Sequence, residues 1–410
     1  MRYLLIIFVF GKRGEASCLA SLSFFTSAVR DYIILVKIVF KYQINSLEDD
    51  SMRTKDTVVY ARIGDYGQEV LAIEFPWEGE LDKSRVGITG MILETDAKER
   101  THADLSGIRE NVVKSVTCEG GKATVEVMPF LFERDFRLVI DGKKYDVKKG
   151  TVKTETLDDF EFCETENGVS YRFYSPKDTT GPRPLILFLH GMGGTGNDNS
   201  LHMTECFGAT AVAELYPWCY VMAPQLHPDP NAKFPDIRKM RFKGMNTGGW
   251  DLPYLAKICD IIRAKIKEGN IDPKRVYVTG LSMGGAGTIK CINVAPDLFA
   301  ACVPICPSMG EDTYNMLRTM THTKVWAVCS YVDHGIYRHK YITDAIMELK
   351  DAGNRDARLT IYGPDDLADF GIGDTEVTQA ERIAWNHWCW VPVYKGDKGI
   401  MYWMMNQYKD

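Results

Sequence analysis

Two regions of the chain differ in their pattern of hydrophobic and polar positions. Residues 55–152 contain short runs rich in β-branched residues, separated by polar turns: TVVYARI, EVLAIEF, VGITGMIL, VVKSVTC, ATVEVMP and FRLVID. Several short strands without an intervening helical period predict an all-β sandwich. Because no cluster of Ser, His and Asp occurs there, we expect an accessory domain.

From residue 153 to 410 the pattern changes to strands alternating with helices. It opens on a predicted hairpin, FEFCETENGVSYRFYSP, whose Asn167-Gly168 pair is a strong turn signal. Between later strands, Leu255, Ile258 and Ile262 follow one face of a predicted helix. The predicted strands are PLILFLH, CYVMAPQ, RVYVTGLS, ACVPICP, KVWAVCS and RLTIYG. This alternation predicts an α/β fold, a mostly parallel sheet with helices on both faces.

Residues 1–54 fit neither pattern. An apolar run, residues 4–10, is followed rather than preceded by Lys12 and Arg13, which is the reverse of a secretory signal. Met52 opens a more regular sequence. We interpret residues 1–54 as a misassigned extension or a weak targeting segment. A start at Met52 favours a cytoplasmic protein, whereas a functional signal would direct secretion.

Composition excludes several classes of protein. The 410 residues carry a formal net charge of -6 and no long basic run, which argues against a nucleic-acid partner. No stretch has the roughly 18 uncharged apolar residues that stable membrane insertion requires. The 11 cysteines form no C-x-x-C pair, which favours reduced thiols over a zinc site or a disulfide scaffold. We expect no metal.

The stretch LILFLHGMGGTGNDN, residues 185–199, matches two motifs. Its glycines satisfy G-x-G-x-x-G, the dinucleotide fingerprint, and also H-G-x-G, a loop that supplies an oxyanion-hole amide in serine hydrolases. The following strand ends in Pro224-Gln225 rather than in the acidic residue that a dinucleotide site needs. The hydrolase interpretation is therefore favoured, with His190 and Gly191 as supporting residues and Met192 as an amide donor.

A second motif, G-x-S-x-G, lies where a predicted strand meets a predicted helix. In RVYVTGLSMGGAGTIK, Ser282 stands between Gly280 and Gly284. A nucleophilic serine at such a turn projects from the sheet edge, and flanking side chains would collide where strand and helix approach. We predict Ser282 as the nucleophile and the amide of Met283 as the second oxyanion donor.

A serine hydroxyl needs a base, and the base needs an orienting acid. In this strand-turn-helix context the acid and then the histidine follow the serine along the chain. Asp333 directly follows the strand KVWAVCS, and His387 in NHWCWVPVY follows the last strand. Alternatives are Asp365, Asp366 and Asp369 as the acid, and His322, His334 and His339 as the base.

Residues from about 157 to the end resemble the α/β-hydrolase esterases related to polyhydroxybutyrate depolymerases, feruloyl esterases and the "predicted peptidase" group. The resemblance rests on PLILFLHGMGGTGNDN, MAPQ, DPKRVYVTGLSMGGAGT, FAACVPICPSMG, KVWAVCSYVD and NHWCWVPVY. It implies the α/β-hydrolase fold, the triad Ser282, Asp333 and His387, and an oxyanion loop at Gly191 and Met192. It also implies an immunoglobulin-like domain for residues 55–152 and, by a looser match, Trp250 near the acyl pocket.

The chain departs from this family at two points. A long segment, PDDLADFGIGDTEVTQAERIAWN, separates the last strand from His387, and it would form a cap or indicate a misassigned strand. The strand before the acid ends in Cys329-Ser330, where relatives often have His-Gly. Neither departure removes a residue of the predicted triad.

The sequence therefore predicts a serine carboxylic-ester hydrolase that needs no cofactor. Its substrates would be small acetyl or hydroxycinnamoyl esters, free or attached to polysaccharide. Trp388, beside His387, suits a flat acyl group but equally suits a core. A peptidase with the same triad and an inactive module that binds carbohydrate or a protein partner are the alternatives. The sandwich would serve as a lid, a carbohydrate-binding part or an oligomer contact.

Overall fold

The computed structural model describes residues 56–93, 112–132, 136–147, 150–227, 249–331, 333, 338–372 and 386–409, apart from positions 66, 91, 166, 179, 206 and 371. The predicted N-terminal extension, residues 1–54, lies outside the described residues. So do positions 373–385 of the predicted cap segment. No helix within the described residues is long and apolar enough to cross a membrane.

The first region is all-β, as its short runs of β-branched residues predict. Two sheets form, one ordered β4-β6-β2-β1-β9 with β5 on β6, the other ordered β3-β7-β8. They share one hydrophobic core, in which Val59, Ile73 and Val125 of the larger sheet are buried together with Ile88 and Leu138 of the smaller. The strands are β1 (Val58–Gly64), β2 (Gly67–Pro76), β3 (Val86–Thr89), β4 (Ile92–Leu93), β5 (Val113–Glu119), β6 (Lys122–Leu131), β7 (Arg137–Ile140), β8 (Lys143–Tyr145) and β9 (Thr151–Thr154).

The β-rich region packs directly against the rest of the chain. Ile63 and Leu131, from β1 and β6, belong to the same buried cluster as Phe207 and Val391. Strand β9 pairs in parallel with β1 up to Thr154, beyond the predicted boundary at 152. The chain therefore changes from one fold to the other immediately after β9.

The second region is built on an eight-stranded sheet ordered β10-β11-β13-β12-β14-β15-β16-β17. The first two strands form the predicted antiparallel hairpin, and the strands from β13 to β17 in this order are parallel. The strands are β10 (Phe160–Glu164), β11 (Ser170–Tyr174), β12 (Arg183–Leu189), β13 (Tyr220–Pro224), β14 (Ile271–Leu281), β15 (Ala301–Ile305), β16 (Val325–Ser330) and β17 (Ala357–Tyr362). Every predicted strand of this region is confirmed.

The central strands are covered on both faces. In β12, Ile186 and Phe188 enter the core on one face, and Leu185, Leu187 and Leu189 enter the core on the other. The covering helices are α1 (Leu201–Thr204), α2 (Ala209–Leu215), α3 (Leu252–Lys267), α4 (Met283–Val294), α5 (Glu311–Leu317), α6 (Arg338–Asp351), α7 (Pro364–Ala368), α8 (Trp390–Tyr394) and α9 (Ile400–Met405). Nonpolar side chains at every strand position are typical of a parallel sheet buried between helices.

Helix α3 shows how local sequence fixes an element. The Asp251 side chain accepts a hydrogen bond from the Tyr254 amide at the N-terminus, and Leu255, Ile258 and Ile262 form the buried face. The helix was predicted from this spacing. In such a sheet the carboxyl ends of the parallel strands meet at one edge, where loops carry functional groups.

Candidate active site

Ser282 occupies the turn between β14 and α4. Its backbone has φ 55° and ψ -116°, a conformation that L-residues rarely adopt. Its amide donates to the Ile305 carbonyl at 3.0 Å, and its carbonyl accepts from the Ser308 amide at 3.0 Å. These bonds to the segment around β15 hold the strained turn, so the half-buried hydroxyl projects beyond the sheet edge.

The neighbouring glycines are required by close main-chain approach. A Cβ at Gly284 would collide with the carbonyls of Leu189 and His190. A Cβ at Gly280 would lie 2.6 Å from the Leu189 carbonyl oxygen. The end of β12 and the serine turn are thus in direct contact, which brings the loop after β12 next to Ser282.

His387 and Asp333 form a hydrogen-bonded chain with Ser282. The Nε2 atom of His387 lies 2.8 Å from Ser282 Oγ. Its Nδ1 atom lies 2.9 Å from one Asp333 carboxylate oxygen and 2.8 Å from the other. The side chains of His387 and Asp333 are 9% and 2% exposed. Serine, base and acid therefore have the mutual geometry of a nucleophile activated by an oriented imidazole.

Each of the three hydrogen-bonded residues comes from a different segment at the same sheet edge. Asp333 follows the end of β16, and His387 lies in a short 3-10 helix, Asn386–Trp388, that precedes α8. The rival acids Asp365, Asp366 and Asp369 are exposed in or beside α7. Of the rival bases, His322 and His339 lie within the described residues, and His334 does not. Only Asp333 among the described carboxylates is hydrogen-bonded to His387.

The loop after β12 is fixed through His190. Its Nε2 atom accepts from the Leu226 amide at 2.9 Å, so Nδ1 carries the proton and donates to the Gly191 carbonyl. Burial lowers the pKa of His190 to about 4, although the bond to Gly191 acts in the opposite direction. The ring is therefore neutral at ordinary pH, and its role as a supporting residue stays a prediction.

The two backbone amides predicted as oxyanion donors both lie at the start of a helix. Met192 is the first residue of a 3-10 helix, Met192–Gly194, and Met283 is the first residue of α4. The first N–H groups of a helix have no acceptor within it. Neither amide has a hydrogen-bond acceptor elsewhere in the described part of the chain. Both are therefore available for a ligand at Ser282.

The predicted pocket tryptophans occupy different positions. Trp250 is 1% exposed; its Nε1 donates to the His190 carbonyl at 3.2 Å, and its ring lies 4.9 Å from that of His190. This is the position of a supporting ring beneath the loop rather than of a pocket wall. Trp388 is only partly buried and lies against Trp390, whose ring lies edge-on to His387.

Sequence reasoning missed two further polar residues at the loop. The sequence distinguishes Gln225 only as a non-acidic residue at the end of a strand. In the structure its side chain is fully buried against residues 194–199. His202 is buried beside His190 and donates from Nε2 to the Ala223 carbonyl at 3.0 Å. Neither residue belongs to a motif, so only the fold reveals their contacts. No group of three potential metal ligands occurs among the described residues.

Comparison with known proteins agrees with this architecture. A model of the prolyl oligopeptidase family matches residues 246–385, a stretch that contains Ser282 and Asp333. The bifunctional acetylxylan esterase/xylanase of Neocallimastix patriciarum is 27% identical over 156 residues, which cover 37% of this chain and 19% of that protein. The chain thus spans about a fifth of the length of this curated relative.

The fold is shared by a solved esterase structure. A thermostable esterase has a TM-score of 0.61 and 21% identity over 87% of this chain and 100% of its own. Because residues 153–410 are less than two thirds of the chain, this match includes part of the β-rich region. An S-formylglutathione hydrolase from Agrobacterium tumefaciens has a TM-score of 0.40 and 14% identity over 61% of this chain and 95% of its own.

The narrower resemblances to depolymerases and feruloyl esterases, and the immunoglobulin-like character of the β-rich region, remain predictions. The sheet order and the thermostable esterase match confirm the predicted fold class. The chain has the α/β-hydrolase fold, and a solved esterase is among the structures that share it.

Proposed function

We propose that this protein is a serine carboxylic-ester hydrolase with Ser282 as nucleophile. The observation that carries the proposal is the hydrogen-bonded chain from Ser282 Oγ through both His387 nitrogens to Asp333. His387 Nε2 takes the hydroxyl proton as Ser282 Oγ bonds to the ester carbonyl carbon. The same nitrogen returns that proton to the leaving alcohol. Water then attacks the acyl-enzyme by the same route and releases the acid.

Asp333 stabilises the imidazolium that forms in both steps and holds Nδ1 protonated. The ester carbonyl oxygen gains negative charge as the tetrahedral intermediate forms. The amides of Met192 and Met283 donate to it, and one such donor typically contributes a factor of about 10² to 10³ in rate. No step needs a metal or an organic cofactor.

The proposed substrates are small acyl esters of the acetyl or hydroxycinnamoyl type. The similarity to an acetylxylan esterase over 156 residues supports an acetyl group attached to a polysaccharide. The aromatic side chains beside His387, including Trp388, are compatible with a flat acyl group. The free acid and the alcohol, or the polysaccharide hydroxyl, would be the products.

A second candidate is peptide-bond hydrolysis by the same residues. The match to the prolyl oligopeptidase family over residues 246–385 favours it. Amide cleavage uses the same nucleophile, base and oxyanion donors, and His387 protonates the leaving amine as it would the leaving alcohol. An inactive module that binds carbohydrate or a protein partner is disfavoured because the hydrogen-bonded chain is complete.

The proposal is tested by hydrolysis of p-nitrophenyl esters from acetate to long acyl chains. The parent chain should be most active on short chains, and Ser282→Ala should lose this activity while it remains folded. Ser115→Ala, which changes a serine of β5 that bonds to Glu126, is the matched control and should keep parent activity. A fluorophosphonate should label the parent and the control but not Ser282→Ala.

Three other outcomes would change the assignment. Activity that survives the loss of Ser282 would overturn the nucleophile. For each substrate, kcat/KM is divided by the rate constant of the uncatalysed reaction. A larger ratio for prolyl peptides than for esters would favour the peptidase. Polysaccharide binding by parent and Ser282→Ala alike, without hydrolysis by the parent, would favour the binding module.

A further inference from the structure

The side chain of Gln225, directly after β13, is fully buried and makes three hydrogen bonds to one loop. Its Nε2 donates to the Gly194 carbonyl at 3.1 Å and to Asp198 Oδ1 at 2.9 Å. Its Oε1 accepts from the Asn199 amide at 2.6 Å. All its polar atoms are thus used, at three points of the loop that follows β12.

The chemistry of the partners fixes the orientation of this amide. A carbonyl and a carboxylate can only accept, so they must face the NH₂ group. The main-chain N–H of Asn199 can only donate, so it must face the side-chain oxygen of Gln225. Neither a glutamate nor a shorter side chain could replace all three bonds, since glutamate has no donor when ionised.

The residue after Gln225 binds the same loop through its main chain. The Leu226 amide donates to His190 Nε2 at 2.9 Å, and the Leu226 carbonyl accepts from the Gly196 amide at 3.1 Å. Residues 225–226 therefore bind the loop at positions 190, 194, 196, 198 and 199. Met192 lies between the first two of these points of attachment.

Asp198 extends the network into α1. Its Oδ1 accepts from the amides of Ser200 and Leu201, each at 3.0 Å, as well as from Gln225. Burial acts to raise the pKa of Asp198, but these hydrogen bonds outweigh it and hold the pKa below its ordinary value. The carboxylate is therefore ionised, which strengthens its bond with the Gln225 amide.

We propose that Gln225 is a positioning residue that holds the Met192 amide where the oxyanion forms. This inference rests on the proposed function, because it assigns Gln225 to the reaction at Ser282. Gln225 acts through the loop and does not touch the substrate. Its bonds should therefore stabilise the transition state much more than the bound ester, and kcat should change more than KM.

The test compares Gln225→Met with Asn354→Leu in otherwise intact chains. Methionine keeps the length of the side chain and removes every polar atom. Asn354 is a matched buried side-chain amide that precedes β17. It therefore lies near the amino ends of the parallel strands, whereas Gln225 lies at their carboxyl ends. Asn354 donates to the carbonyls of Met320 and Thr323 and accepts from the Asp356 amide. Both variants lose three hydrogen bonds of a buried side chain, so both should lower the thermal midpoint of unfolding.

The kinetic readouts separate positioning from general stability. For Gln225→Met we expect kcat/KM for p-nitrophenyl acetate to fall about 10- to 100-fold per folded molecule, with KM within about twofold of the parent. The inhibition constant of an alkyl boronic acid, which forms a tetrahedral adduct on the serine, should rise by a similar factor. Asn354→Leu should leave all three constants within about twofold of the parent.

A second variant covers the case in which Gln225→Met does not fold. In Gly196→Ala the added Cβ would lie 2.7 Å from Gln225 Nε2, so it displaces the amide without removing a bonding group. We expect a smaller fall in kcat with KM unchanged. Parent values for kcat and boronate affinity in either folded variant would overturn the inference and leave the esterase proposal intact. A parent that neither hydrolyses esters nor reacts with a fluorophosphonate would overturn both.

Discussion

The ammonium nitrogen of Lys395 lies 2.5 Å from a carboxylate oxygen of Asp65, although the two residues are 330 positions apart. Asp65 is in the turn after β1, and Lys395 directly follows α8, the helix that comes after His387. The Asp65 side chain is only 11% exposed. We therefore propose that the β-rich region acts as an accessory domain that braces the segment carrying His387.

Replacing Lys395 by Met should lower the free energy of unfolding by about 1 kcal/mol, because a half-exposed ion pair contributes little more. A double-mutant cycle with Asp65→Asn, measured by chemical denaturation, should give a coupling energy of about 0.5 to 1 kcal/mol. The exposed pair Lys340 and Asp344 within α6 is the control and should give a smaller coupling. Equal coupling energies for the two ion pairs would contradict the proposal that the β-rich region braces the segment carrying His387.

Asp333→Asn should lower kcat/KM for esters by a factor on the order of 10⁴, because an amide cannot hold His387 in the required tautomer. Asp366→Asn is the control, since Asp366 is an exposed acid in α7 that accepts from the amide of Gly363, the residue before that helix. It should keep parent activity. If steady-state kinetics showed the loss of kcat/KM in Asp366→Asn and not in Asp333→Asn, the acid that orients His387 would be Asp366 of α7.

Gly284→Ala should destabilise the fold by about 3 kcal/mol, because the added Cβ meets the main-chain carbonyls of Leu189 and His190. Gly363→Ala is the matched control, since its Cβ would meet only a carboxylate oxygen of Asp366 at 3.4 Å. That variant should change stability by less than about 0.5 kcal/mol. Denaturant midpoints measure both, and a stable Gly284→Ala would show that strand and helix do not approach so closely.

Stability should fall as the pH drops from about 6.5 towards 3, because two buried histidines resist protonation. Burial lowers the pKa of His190 to about 4, and burial with the neighbouring His190 lowers that of His202 to about 3. In this window the unfolded chain binds protons that the native chain does not, so the free energy of unfolding rises with pH. His190 alone contributes about 3 kcal/mol, which is fully present only above its unfolded pKa.

The variant His202→Gln isolates one of these contributions. Glutamine can keep the hydrogen bond to the Ala223 carbonyl and does not titrate. Denaturant unfolding between pH 4 and pH 8 should therefore show a shallower decline for His202→Gln than for the parent. Parallel pH profiles would mean that His202 is not held neutral by burial.

The parts of the site that follow local rules were predictable from the sequence. Ser282 sits in a motif whose glycines are needed for close approach, and Asp333 follows a strand that is recognisable by its apolar run. His387 could be chosen by chain order, but the choice between it and rival histidines needed the fold. The strands around these residues were predictable because a buried parallel strand leaves an uninterrupted apolar stretch.

Contacts between distant segments left no such pattern. The bonds of Gln225 to the loop after β12 depend on how β13 lies beside β12, which no spacing in the sequence records. A loose family match placed Trp250 near the acyl pocket, yet the ring is buried against His190. A single matched tryptophan does not distinguish a core ring from a pocket ring. The pairing of β9 with β1 likewise brings together segments about 90 residues apart, which moved the boundary past residue 152.

The positive φ of 55° at Ser282 implies a trade between stability and activity. Every L-residue at this position bears the same backbone strain, whereas glycine would relieve it. A chain with Ser282→Gly should therefore unfold at a higher temperature than one with Ser282→Ala, although neither has a nucleophile. The fold thus retains an unfavourable backbone conformation at the residue proposed as the nucleophile.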